Sequence, residues 1–161
     1  MPLSWCSLRL ILNGVFPSSI SLADLSLLRH EIIKRYIAAR SQKGAEGPIS
    51  LWGPMAVRIM SIMGESGFDS LYQRSVYLTQ ASYPWLDVGL LASPAQPRFN
   101  SLVSSLDGKT PALAGEANYL LLITFTDILA SLIGEDLTNS ILRSAWSDFA
   151  LDDGTEELKN D

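Results

Sequence analysis

The chain has 161 residues, of which 47% are hydrophobic and 18% charged, with a single cysteine, Cys6. That length suits one domain able to bury about 70% of the surface its unfolded form exposes, and the composition excludes a disordered chain, an internal disulfide and a multi-cysteine zinc site. The formal charge of −5 belongs to residues 148–161, where six acids meet only Lys159, whereas residues 1–147 balance at 11 positive and 11 negative.

Apolar residues recur at helical spacing along nearly the whole chain and strict alternation is scarce, so the expectation is an all-α fold. We expect a single globular array of five to seven helices around a central apolar helix at about 110–133. Residues 1–20 are expected to form an irregular or short helical segment, 21–149 the helical domain, and 150–161 an acidic, disordered tail. Arg9 and Asn13 interrupt the apolar stretch near the start, which disfavours a secretory signal.

Ser21 and Asp24 have the spacing of a capping box, with Ile20 as a staple, and Leu22, Leu25, Leu28, Ile32 and Tyr36 follow as one buried stripe to about Lys43. Gly44 to Pro48 reads as a loop. A second helix is expected to start near Pro54 and to bury Met55, Ile59 and Met63 before Gly64 stops it. Ser66 and Asp69 repeat the capping spacing for a third helix, whose inner face is Phe68, Leu71, Tyr72, Val76 and Thr79. With only Gly64 and Glu65 between them, these two helices should meet in a tight corner.

Three prolines and a glycine make 84–97 the main irregular connection, expected to bury Trp85, Leu86 and Leu90. A short helix then shows Phe99, Leu102, Val103 and Leu106 on one face. Thr110 caps the longest helix, Pro111 takes its first position, and Gly134 closes it after Ile133. Because Leu120 to Phe125 is apolar on nearly every side, this helix should be central. Tyr119 to Ile133 is too short for a membrane span and holds Asp127, so it reads as core and no crossing is expected. Leu137, Ile141 and Ala145, with Leu142 and Trp146, mark the inner face of a last helix ending near Phe149.

Motifs for dinucleotide or phosphate loops, zinc proteases, calcium loops and serine hydrolases do not occur in the sequence. The lone histidine, His30, excludes sites needing two imidazoles and sits among charged residues, which suits a solvated helix surface. Asp127 stands out, because a carboxylate inside an apolar helix must be paired or must face a groove. Three readings stay open for it: a buried pair with Arg58, Arg74 or Arg143, the polar anchor of a ligand pocket, or plain exposure.

Arg29, Lys34, Arg35, Arg40 and Lys43 spread over the exposed arc of the first helix, and with a neutral body they do not make a nucleic-acid surface. The expected function is therefore a non-catalytic helical interaction or regulatory protein, cytoplasmic and homodimeric or bound to a protein partner. No cofactor, metal, nucleic acid or membrane span is expected. The competing expectation is a sensor-like domain binding a small apolar ligand beside Asp127, with Tyr119, Tyr72, Trp146, Arg58 and Arg143 as further lining candidates.

Overall fold

The computed structural model describes residues 22–40, 50–87 and 98–155, and its described residues form six helices with no strand. They are α1 (Leu22–Arg40), α2 (Trp52–Met63), α3 (Glu65–Thr79), α4 (Asn100–Asp107), α5 (Pro111–Ile133) and α6 (Glu135–Thr155). The all-α expectation and the helix number hold. Ser21, the loop at 44–48, Leu90 and residues 1–20 lie outside the described residues.

The central helix forms where its local signals place it. Thr110 has extended backbone and its hydroxyl accepts from the Leu113 N–H, Pro111 follows at the first helical position, and Gly134 caps the end. Ala117, Leu121, Leu122, Phe125 and Leu129 are buried on more than one side, and α5 packs on α1, α3 and α6. By length and composition it is the one helix among the described residues able to cross a membrane, and half of its apolar stretch is buried inside the fold.

Two glycine corners turn the chain between helices. Gly64 (φ 84°) donates its N–H to Met60 O at 2.9 Å to close α2, and its carbonyl accepts from the Phe68 N–H at 3.1 Å to open α3. Gly134 (φ 96°) repeats the device between α5 and α6, with Ala130 O at 2.9 Å and the Thr138 N–H at 3.2 Å. Both φ values lie where L side chains are strained, so glycine allows the next helix to start at once.

That geometry corrects the expected cap of α3. Gly64 is the N-cap, and Ser66 lies inside the helix, where its carbonyl accepts from Ser70 Oγ at 2.9 Å. Likewise α2 starts at Trp52, two residues before Pro54. Proline is still tolerated there, because the first turn has no intrahelical acceptor for its N–H. At the other end of the chain, α6 runs to Thr155 and enters the segment expected to be tail. Helix-favouring Ala150 and Leu151 follow Phe149 with no proline to stop them.

The core is aromatic at its centre. Trp52 is fully buried, meeting Tyr72 edge-on at 5.4 Å and Phe125 at 5.3 Å between ring centroids, while its indole N–H donates to Asn118 Oδ1 at 2.9 Å. Phe68 and Phe99 pack on the same group. All five residues expected on the inner face of α3 are buried, as are Leu102 and Leu106 of α4. In the stretch after α3, Leu86 is buried and its carbonyl accepts from Gln80 Nε2 at 2.6 Å, while Lys109 Nζ lies 4.7 Å above the half-buried Trp85 ring.

Helices α1 and α6 run side by side in the same direction, because Arg29 meets Glu135 near their starts and Tyr36 meets Trp146 further along, at 5.1 Å. One expected core residue is displaced. Leu137 of α6 is 45% exposed, since it follows the Gly134 corner by only three residues, whereas α1 meets α6 at Glu135 through Arg29 and at Trp146 through Tyr36.

Candidate functional site

The most concentrated polar constellation lies where α1, α5 and α6 meet. Its centre is Arg29, a residue only 1% exposed, whose Nη2 donates to Asp127 Oδ1 of α5 and whose Nη1 donates to Glu135 Oε2 of α6. Arg29 Nη2 also lies 3.5 Å from Ser26 Oγ, and Arg29 Nε is buried without a hydrogen-bond partner. His30 Nε2 reaches the same Asp127 oxygen at 2.8 Å. One guanidinium thus ties three helices together, which suits arginine, whose planar head offers several fixed donors at once.

Tyr119 stands two turns before Asp127 on α5. Burial raises its phenol above the ordinary tyrosine value, and the negative charges of Glu31 and Asp127 raise it further. Tyr119 and Asp127 are therefore brought within each other's field, as the sequence reading grouped them. Among the described residues, no three His, Cys, Asp or Glu side chains converge to hold a metal ion.

The other four candidates are dispersed. Tyr72 is buried in the aromatic cluster and burial pushes its phenol up strongly. Trp146 is buried, with its indole N–H donating to Leu51 O at 3.0 Å. Arg58 is exposed on α2, and Arg143 is half-buried on α6. Tyr77 of α3 is 69% exposed.

The pairing of Asp127 corrects two expectations. Its partners are Arg29 and His30 of α1, in place of Arg58, Arg74 or Arg143, and Asp127 itself keeps 46% of its side chain exposed. Arg29, expected among solvated bases, is buried instead. The sequence did hold a signal for this: Leu25, Arg29, Ile33 and Ile37 follow one another at steps of four, so Arg29 occupies the apolar stripe of α1. His30, expected to be solvated, keeps 27% exposure and gains a carboxylate.

A second ion cluster joins the chain before α4 to α3. Arg98 Nη1 donates to Asp69 and Nη2 to Glu65, with the guanidinium 5.6 Å above the Phe68 ring. Asp69 thus serves as a tie between segments, in place of the expected cap. An open polar depression of about 330 Å³ lies beside α4, lined by Asp87, Asn100, Ser101, Ser104 and Ser105.

No protein family, no curated protein and no solved structure matches this chain.

Proposed function

We propose that this chain is a non-catalytic helical interaction or regulatory protein that acts as a homodimer in the cytoplasm. The observation that carries the reading is the pair of exposed leucines at the α5–α6 corner, Leu132 and Leu137. Leu121, Phe125, Ile128 and Leu132 share one face of α5, and burial falls along it from complete at Leu121 and Phe125 to a Leu132 that is 66% exposed. Leu137, just past Gly134, is exposed beside it in sequence. A second copy would cover such residues at no cost in net body charge, since residues 1–147 are balanced.

The chemistry at the α1–α5–α6 junction fits this reading, because its charges are engaged with one another. Arg29 answers two carboxylates and His30 shares one of them, so the cluster holds helices in place. The acidic stretch lies toward the far end of α6 from Leu137, on the order of 20 Å along a helix rising 1.5 Å per residue. Like charges on two copies meeting at the corner would therefore be separated.

Sedimentation velocity of the full chain at micromolar concentration is the test. The wild type is expected to sediment as a dimer, and Leu132→Glu as a monomer with unchanged helical circular dichroism. A symmetric interface contains each substitution twice, so at about 1.5–3 kcal/mol for each buried leucine the dimer should weaken by at least about a hundredfold. A wild-type chain that remains monomeric across that range overturns the proposal, as does a Leu132→Glu dimer of unaltered affinity.

A further inference from the structure

We draw no further inference here: the strongest candidate, the open polar depression beside α4 between Asp87 and the Ser101, Ser104 and Ser105 hydroxyls, carries nothing because Ser105 is already bonded to the Asp87 N–H and to Ser101 O and nothing in the structure shows what would fill it.

Discussion

The aromatic cluster around Trp52 and the ion cluster around Arg29 both join helices distant in sequence, but they hold by different means. Trp52 touches Tyr72, Phe99 and Phe125 through ring faces and edges, so its contacts are many, short-ranged and individually small. Arg29 acts through two directed nitrogens, and its partners keep contact with water: Asp127 is 46% exposed and Glu135 17%. The difference separates two tasks. The aromatic cluster stabilises as part of the buried apolar core, through area removed from water, whereas the guanidinium gives α1 directed contacts to α5 and α6.

The largest effect should come from the aromatic side. Trp52→Ala removes the central ring and leaves Asn118 Oδ1 without its donor, so we expect a loss of about 3–5 kcal/mol in denaturant unfolding. A cost below about 1 kcal/mol would show that the cluster is not the centre of the core.

Arg29→Ala should cost less, about 2 kcal/mol, because it strands the largely buried Glu135 carboxylate while Asp127 can turn to water. The loss should concentrate in α1, seen as faster amide exchange over residues 22–40 than over α3. Equal protection changes in both helices would break the separation drawn above.

Tyr72→Phe sharpens the comparison through pH. Burial raises the Tyr72 phenol in the folded chain, so above about pH 10 the unfolded chain sheds a proton that the folded one keeps. Stability then falls as pH rises, and the phenylalanine variant should lose less of it between pH 9 and 11 while differing little at pH 7. Identical alkaline limbs in the two chains would contradict the burial of that hydroxyl.

Asp127→Asn should have the smallest effect on stability, under about 1 kcal/mol, since the carboxylate is half exposed and screened. Its signature is elsewhere. With one of the nearby negative charges gone, Tyr119 should ionise more readily, shifting part of the ultraviolet tyrosine titration to lower pH.

Much of this architecture was legible because its signals are local. Thr110, Pro111 and Gly134 delimit the central helix within a few residues of one another in the chain, and the spacing of Phe68, Leu71, Tyr72, Val76 and Thr79 marks one face wherever the helix docks. The candidate site was far less legible. Four of its six residues fell apart once the helices packed, since aromatic residues on inner faces read alike whether they line a pocket or fill a core. Arg29 was missed because its charge outweighed its place in the Leu25, Ile33 and Ile37 stripe.

What the sequence determined by itself is the number, extent and inner face of most helices, together with the confinement of net charge to residues 148–161. Periodicity, caps and breakers act over three or four residues, so they survive without knowledge of the fold. Only the tertiary structure decided which base answers Asp127, 98 residues from Arg29, and which part of an apolar stripe stays uncovered. Both depend on the parallel course of α1 and α6 and on where neighbouring helices end, and no local pattern along the chain encodes those distances.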